Sequence, residues 1–211
     1  MRVEHIEGTS MEITKEAIRA GFDKYLCDKG SQHDYTLMYH ETFKELTGCA
    51  RMLEIGVGAG RSALAWREIL PSTELTFLEK TPYEGMLEEA KAMNIVVGDS
   101  ARASVVSALF RDAHPFDVII DDGDHRPDFQ FQTFLNFENR WTQAYVIEDI
   151  IGQENERLLR RRLKSHGYNN MRTYSSKLSN GSLRMNGKVE TNVPFYAMVI
   201  FPNATEAPQP E

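Results

Sequence analysis

The chain has 211 residues, of which 41% are hydrophobic and 26% are charged. This composition is typical of a folded globular protein and excludes a chain that is disordered throughout. The formal net charge of −7 argues against a nucleic-acid-binding protein, because such proteins usually carry a surplus of basic residues.

Neither membrane insertion nor secretion is predicted. No apolar run approaches the roughly 18 residues that a membrane-spanning helix needs. The N-terminal residues MRVEHIEGTS include acids and lack an apolar stretch, which predicts no secretory signal. Cys27 and Cys49 are the only cysteines, too few for a disulfide framework or a four-cysteine zinc site. Two thiols fit a reducing compartment, so we expect a cytoplasmic protein without a membrane or nucleic-acid partner.

Helices and short strands are predicted in a regular alternation. Two helices, over 11–27 and 36–47, precede the first strand. Wholly apolar strands then alternate with helices, which predicts a parallel sheet covered on both faces. A polar connection with a turn signal at Asn180-Gly181 separates the last two strands. The strands are predicted at 51–55, 75–78, 95–97, 116–120, 144–147, 171–174 and 195–201, and the helices between them at 61–70, 84–93, 102–111, 129–141 and 153–166.

A glycine-rich loop follows the first strand. Gly56, Gly58 and Gly60 lie in the segment LEIGVGAGRS, with Glu54 two residues ahead. Glycine lets the backbone approach a ligand closely, and ligands of open parallel sheets bind beyond the carboxyl ends of the strands. The dinucleotide fingerprint G-x-G-x-x-G is not met, because Arg61 stands at its last position.

The pattern acid-x-Gly-x-Gly-x-Gly resembles the first motif of class I S-adenosylmethionine (AdoMet) methyltransferases. In that family the loop packs against the amino-acid part of AdoMet, a role that the resemblance gives to Glu54 and the three glycines. The resemblance also implies that Glu79, at the end of the second strand, binds the ribose hydroxyls. It implies that Asp99, with Ser100 beside it, binds the adenine. The alternative, a plain strand-to-helix turn, explains the glycines but not the acids at the next two strand ends.

Acidic residues end the fourth and the fifth predicted strands. If these strands are neighbours, about 4.8 Å apart, the carboxylates crowd one rim. Carboxylates so close need protons, basic partners or a bound cation, and an all-oxygen set suits a hard cation such as Mg²⁺. The residues are Asp121, Asp122, Asp124 and His125 after the fourth strand and Glu148 and Asp149 after the fifth.

Glu148 and Asp149 are adjacent, and this poses a geometric question. Side chains of adjacent residues in an ideal strand point to opposite faces, so both reach one ion only if the chain leaves the strand there. Helix capping and a charged loop are the alternative explanations for these acids, and Asp124 could be a turn residue before Pro127.

A more specific resemblance arises in this region. VIIDDGDHRPDFQFQTFLNF followed by YVIEDI resembles the metal-dependent O-methyltransferases that act on sugar hydroxyls of natural products, of the macrocin and mycinamicin type. The segment DKGSQHDYTLMY is similar to an N-terminal segment of the same enzymes, so the resemblance covers most of residues 28–150. It implies transfer of a methyl group from AdoMet to a hydroxyl of a sugar or vicinal diol, assisted by a divalent cation such as Mg²⁺.

The resemblance assigns roles residue by residue. Asp122, Glu148 and Asp149 are the implied metal ligands. His125 is the implied general base, a role that suits an imidazole near neutral pH. Asp124 stands where the family usually has serine, and some relatives use an acid there as the base, so both residues remain candidates.

Three residues ahead of the first strand are also implied to line the active site. They are Lys29, His33 and Tyr35, and either Lys29 or Tyr35 is expected near the carboxylate of AdoMet or near the acceptor. A surface loop is the alternative explanation for each of them.

The predicted fold class is α/β, a Rossmann-like doubly wound sheet of about seven strands. It is expected to be mostly parallel, with a terminal antiparallel strand and helices on both faces. We expect one methyltransferase domain over 1–211, in which 1–47 form a helical cap with an active-site loop, 48–201 form the core and 202–211 form a flexible tail.

Other functions stay open at this point. A catechol-type enzyme with an aromatic acceptor would use the same metal-bound diol. A metal-dependent oxygenase would need a second histidine besides His125, and His33 is the candidate. A non-catalytic AdoMet-binding partner protein is a further alternative. The expected partner is a small-molecule acceptor, in a pocket that is either open or completed by a second subunit of a homo-oligomer.

Overall fold

The computed structural model describes residues 13–81, 83–178, 181–185 and 188–203. Within these ranges the helices are α1 (Lys15–Lys24), α2 (Asp28–Ser31), α3 (Thr36–Lys44), α4 (Arg61–Ile69), α5 (Glu88–Lys91), α6 (Ala103–Leu109), α7 (Pro127–Phe137) and α8 (Gln153–Ser165). The strands are β1 (Arg51–Ile55), β2 (Glu74–Glu79), β3 (Ile95–Val97), β4 (Phe116–Asp121), β5 (Trp141–Ile151), β6 (Met171–Ser175), β7 (Gly181–Met185), β8 (Lys188–Val193) and β9 (Phe195–Ile200).

Seven of the strands form one sheet in the order β3-β2-β1-β4-β5-β9-β6. The pairs from β3 to β5 are parallel, and β9 runs antiparallel to both of its neighbours. The predicted fold class is therefore confirmed, with the last strand of the chain as the antiparallel one. The strand order reverses between β1 and β4, and ligands of open α/β sheets bind at such a point.

Both faces of the sheet are covered by helices. Successive residues of a strand point to opposite faces, so Ile120 packs with Phe22 of α1 and Trp66 of α4, while Ile119 packs with Phe134 of α7. The strands are apolar on both sides because both sides are buried. Among the described residues no helix is long and apolar enough to cross a membrane.

The fifth strand is longer than the predicted 144–147. β5 begins at Trp141, which pairs with Phe116 of β4, so the residue predicted to end the preceding helix belongs to the sheet. That helix, α7, begins earlier, at Pro127, because a proline at the first helical position loses no hydrogen bond.

Several predicted helices are shorter in the structure, and two of them differ most. The helix predicted over 11–27 is described from residue 13 and extends over Lys15–Lys24, with the Thr14 hydroxyl accepting a hydrogen bond from the Ala17 N–H. The helix predicted over 84–93 is a single turn, α5.

A two-stranded hairpin, β7–β8, occupies the long connection before the last strand. The turn was expected at Asn180-Gly181, but Gly181 is the first residue of β7 and pairs with Val193. β7 and β8 pair in antiparallel fashion, with Met185 opposite Lys188. Asn180 lies outside the described residues.

Candidate active site

A cleft of about 780 Å³ opens at the carboxyl ends of the parallel strands. The glycine loop after β1 forms one wall, and the loops after β2, β3 and β4 form the others. Several predicted site residues line it: Gly56, Gly58, Glu79, Asp99, Ser100, Asp122, Asp124, His125 and Asp149.

The three glycines of the loop have positive φ, and each serves a different contact. A Cβ on Gly56 would lie 2.1 Å from the carbonyl oxygen of Asp122, so this glycine lets β1 and the loop after β4 approach each other. A Cβ on Gly60 would lie 2.3 Å from the Cβ of Ala90. Gly58 has no heavy atom within 4 Å of that position, so its backbone is open to a ligand in the cleft.

Gly56→Ala is expected to lower the free energy of unfolding by about 3 kcal/mol, because strain at positive φ is added to a clash with backbone. The matched control is Gly58→Ala, which has φ of +49° and open space, and which we expect to cost about 1 kcal/mol. Urea unfolding curves measure both values. Equal losses in the two variants would contradict the close approach at Gly56.

Glu79 holds the glycine loop. Its Oε2 accepts hydrogen bonds from the Val57 N–H at 2.8 Å and the Gly58 N–H at 3.0 Å, and its Oε1 accepts from the Lys80 N–H. The carboxylate therefore lies at the edge of the cleft, beside the open backbone of Gly58. A carboxylate in this position can also accept from two vicinal hydroxyls of a ligand.

Glu79→Gln is expected to weaken the binding of S-adenosylhomocysteine, the demethylated product of AdoMet, at least tenfold. The amide keeps the size of the side chain but loses the charge that strengthens its hydrogen bonds. Glu89→Gln, an exposed change on α5, is the control and should leave the affinity unchanged. Isothermal titration measures both, and equal affinities would remove Glu79 from the ligand site.

Asp99 and Ser100 lie where the loop after β3 meets the cleft. Partial burial acts to raise the pKa of Asp99, but hydrogen bonds from Lys80 and from the Ala101 N–H lower it below its usual value. Asp99 is therefore ionised near neutral pH. The Ser100 hydroxyl bonds that of Thr133 on α7 at 3.2 Å, which fixes this wall of the cleft.

Glu54 is placed differently from its predicted role. Its side chain is fully buried beneath the glycine loop, where it accepts hydrogen bonds from Ser62 at 3.0 Å and Trp66 at 3.4 Å. Burial raises the pKa of Glu54 to about 7, although the ammonium of Lys29 acts to lower it. In this position Glu54 anchors α4 to β1 and has no surface for contact with a ligand.

Asp122, His125 and Asp149 meet at the rim of the cleft. One ligand atom from each lies within 4.8 Å of the others, a spacing that could hold a metal ion. The Nδ1 atom of His125 is buried and has no hydrogen-bond partner among the described residues. The carboxylate oxygens of Asp122 and Asp149 are ligands that a hard divalent ion accepts, so the residues present fit a cation here, with His125 beside it.

A bulge in β5 brings Asp149 to this point. The register against β9 shifts between Ile147 and Ile150, and Asp149 adopts the left-handed conformation, with φ of +53°. A bulge inserts one extra residue into a strand and changes the direction in which nearby side chains point. Because of this irregularity, the adjacent residues Glu148 and Asp149 both lie near the cleft. Asp149 lines it, and Glu148 is buried behind it.

Glu148 is placed differently from the other two predicted metal ligands. Lys29 donates to its Oε2 at 2.5 Å, Tyr39 donates to its Oε1, and Gln130 donates to its backbone carbonyl. The side chain is almost fully buried, and Asp122, His125 and Asp149 meet without it. Its role as a metal ligand stays a prediction.

Lys29 and Tyr35 lie behind the acids rather than in the cleft. The ammonium of Lys29 is 1% exposed and also contacts Asp122, at 2.6 Å. Burial alone would lower its pKa, but the surrounding carboxylates raise it well above its usual value, so Lys29 is charged. Tyr35 donates to Asp149 at 2.8 Å, and the Nδ1 atom of His33 lies 3.1 Å from the same carboxylate oxygen.

The two remaining acids of the fourth strand end turn away from this point. Asp124 forms an ion pair with Arg126, and the hydrogen bond from Arg126 lowers its pKa below the usual value. Asp121 points into the opposite face of the sheet, where Tyr145 donates to it at 3.4 Å. Burial raises the pKa of Asp121 to about 8. The predicted crowding at the rim is thereby reduced.

Tyr39 and Gln130 contact Glu148 but were not singled out in the sequence. Tyr39 belongs to the quoted segment DKGSQHDYTLMY, and its position four residues after Tyr35 places both on one side of α3. Gln130 follows Asp122 by eight residues, and no motif marks it.

Comparison with known proteins starts from sequence. No family model matches the chain. A curated enzyme of Streptomyces olivaceus, 8-demethyl-8-(2-methoxy-alpha-L-rhamnosyl)-tetracenomycin-C 3'-O-methyltransferase, is 28% identical over 149 residues. The match covers 66% of this chain and 37% of that enzyme, so the chain spans little more than a third of this relative.

Solved structures show the same fold. MycE methyltransferase from the mycinamycin biosynthetic pathway, solved with Mg and SAH, matches with a TM-score of 0.65 and 23% identity, over 94% of this chain and 58% of that one. The chain has the class I methyltransferase fold. An O-methyltransferase from Bacillus cereus matches with a TM-score of 0.51 and 11% identity, over 89% of this chain and 91% of that one. The predicted resemblance to mycinamicin-type methyltransferases is confirmed.

Proposed function

We propose that the chain is an AdoMet-dependent O-methyltransferase that uses a divalent cation. One observation carries the proposal: a glycine loop with an open backbone and the Asp122–His125–Asp149 group line the same cleft. A ligand held by the loop and a ligand held by the rim would therefore meet in one space. The similar enzyme of Streptomyces olivaceus is named as an O-methyltransferase, and the similar MycE methyltransferase was solved with Mg and SAH, which supports this function.

AdoMet would supply the methyl group as an electrophile, and the divalent ion would stabilise negative charge on the acceptor oxygen. The chain's own part is orientation. Gly58 and Glu79 would hold the cofactor at the loop, and Asp122 and Asp149 would hold the cation at the rim. Because both reactants would be held in the same cleft, much of the entropic cost of bringing them together is removed.

His125 is the better candidate for the general base. Its Nδ1 is buried without a hydrogen-bond partner among the residues described, and the side chain lines the cleft. Asp124 is held by Arg126, whose hydrogen bond lowers its pKa and so makes it a weak proton acceptor. His125 would take the proton of the acceptor hydroxyl as the oxygen attacks the methyl group.

The proposed acceptor is a sugar hydroxyl or vicinal diol of a small molecule. The Streptomyces olivaceus relative is named for methylation of a rhamnosyl group, which supports a sugar over a catechol. An oxygenase is disfavoured, because the second histidine it requires, His33, is 5% exposed and its Nδ1 lies against Ser176 and Asp149. We propose a cytoplasmic enzyme without a nucleic-acid partner.

The test is methyl transfer from radiolabelled AdoMet to a panel of glycosides with vicinal hydroxyls and a panel of catechols, with Mg²⁺ or with EDTA. We expect labelled glycosides, and loss of labelling in EDTA and in Asp149→Asn. Arg157→Gln, an exposed change on α8, is the control and should keep the activity. If only catechols are labelled, the acceptor is a catechol and not a sugar hydroxyl. Labelling that is unchanged in EDTA would remove the cation from the mechanism.

A further inference from the structure

We propose that the ammonium of Lys29 is a built-in counter-ion of the candidate metal site and that it opposes the binding of a divalent cation there. This inference rests on the proposed function, because it concerns the same acids. In this account Lys29 is a positioning residue that sets the charge available to the metal. It stabilises the acids in the metal-free protein and weakens their attraction for a second cation.

The contacts of Lys29 are those of a fixed cation. Its Nζ lies 2.6 Å from Asp122 Oδ2, 2.5 Å from Glu148 Oε2 and 3.3 Å from Glu54 Oε1. The side chain is 1% exposed, so water does not replace these contacts. An ammonium has three donors, and three carboxylates surround this one.

The backbone around Lys29 holds the ammonium in place. Lys29 lies in α2, and the following Gly30 packs so closely on α1 that a Cβ there would lie 2.6 Å from the Cβ of Phe22. The Cys27 N–H donates to the Phe22 carbonyl at 2.9 Å, and the Tyr35 N–H donates to the Lys29 carbonyl at 2.7 Å. The backbone of Lys29 is therefore held by contacts between α2 and α1, and its buried side chain places the ammonium against the acids.

Carboxyl groups outnumber lysine and arginine side chains around Lys29. Glu54, Asp122, Glu148 and Asp149 supply four carboxyl groups, and Lys29 is the one lysine or arginine among the described residues that forms ion pairs with any of them. Two histidines also face them, His33 beside Asp149 and His125 beside Asp122 and Asp149. Lys29 contacts three of the four carboxyl groups, and Asp149 has Tyr35 and His33 as its partners.

Asp122 connects the two cation positions. One of its oxygens accepts from Lys29, and the residue also belongs to the group with His125 and Asp149 that could hold a metal ion. A divalent ion bound there would share the Asp122 carboxylate with the ammonium. Two positive charges on one carboxylate repel each other, and the repulsion is strong where water is excluded. Removing the ammonium should therefore strengthen metal binding while weakening the metal-free protein.

The experiment compares the whole chain with its Lys29→Met and Lys29→Gln variants, and with Lys91→Met as an exposed control. Mn²⁺ affinity is measured by isothermal titration, and the melting temperature is measured in EDTA and in Mn²⁺. We expect both Lys29 variants to bind Mn²⁺ about tenfold more tightly than the wild type. In EDTA we expect the melting temperature of Lys29→Met to fall by roughly 10 °C, with most of the loss restored by Mn²⁺.

A merely structural role for Lys29 would lower the melting temperature without tightening Mn²⁺ binding, so unchanged or weaker affinity in both variants would overturn the proposal. Failure of both variants to fold even in Mn²⁺ would also overturn it, because the divalent ion then could not replace the ammonium. If the wild type itself binds no Mn²⁺ or Mg²⁺, the cation part of the proposed function fails instead, and the two failures are distinguished by the wild-type titration.

Discussion

Replacement of His125 with asparagine is expected to lower the rate of methyl transfer by about 10²- to 10⁴-fold, the range usual for loss of a general base. The amide keeps a polar atom near the position of the unpartnered Nδ1 but does not take up a proton near neutral pH. The affinity for S-adenosylhomocysteine should change less than threefold, because His125 lies on the loop after β4 and the cofactor would bind at the loop after β1. Single-turnover rates at saturating Mg²⁺ measure the effect.

Asp124→Asn is the matched control for this experiment. Asp124 is bound by Arg126, and the low pKa that results makes it a poor proton acceptor, so we expect its loss to reduce the rate less than tenfold. A larger loss in Asp124→Asn than in His125→Asn would reverse the assignment of the base.

Asp121→Asn is expected to make the protein more stable at alkaline pH. The Asp121 carboxyl is buried against the apolar face formed by α7, and burial raises its pKa from 3.8 to about 8. The asparagine has nearly the same shape, can accept from the Gly123 N–H and can bond the Tyr145 hydroxyl, but it never becomes charged. The variant therefore avoids a charge that the fold does not accommodate.

The direction of the pH effect follows from proton uptake. Between about pH 4 and pH 8 the folded protein keeps the proton on Asp121, whereas the unfolded chain releases it. Folded protein binds more protons, so the free energy of unfolding falls as the pH rises through this window. From pH 5.5 to pH 8.5 the contribution of Asp121 to this fall is about 3 kcal/mol.

Urea unfolding in EDTA at pH 5.5 and pH 8.5 measures this difference. We expect the fall in stability between the two pH values to be about 3 kcal/mol smaller in Asp121→Asn than in the wild type. Asp112→Asn, an exposed change, is the control and should leave the fall unchanged. Burial also raises the pKa of Glu54, but that contribution is common to all three proteins and cancels. An equal fall in wild type and Asp121→Asn would contradict the buried, protonated carboxyl.

The sheet and the cleft could be predicted from the sequence because local patterns determine them. Strands such as β1 and β4 are apolar on both faces, and their carboxyl ends carry the glycines and acids that line the cleft. Helix ends were less predictable. Pro127 begins α7 and Trp141 begins β5, and in both cases backbone hydrogen bonding, rather than apolar spacing, decides where the element begins.

The arrangement of the acids could not be predicted in the same way. Which side of the sheet Asp121 faces depends on the pleat, and the position of Asp149 depends on a bulge in β5 that no residue type signals. The depth of Lys29 depends on the packing of α2 against α1, two elements that precede the sheet in sequence. Long-range packing therefore decides which acids meet a ligand and which meet the ammonium.

The methyltransferase function is tested most directly by isothermal titration of the whole chain with S-adenosylhomocysteine and, separately, with Mg²⁺, for the wild type and for Asp149→Ala. We expect one cofactor site per chain in both proteins, and Mg²⁺ binding that is present in the wild type and lost in the variant. Absence of cofactor binding to the wild type would contradict the methyltransferase function, since the glycine loop would then be a structural turn.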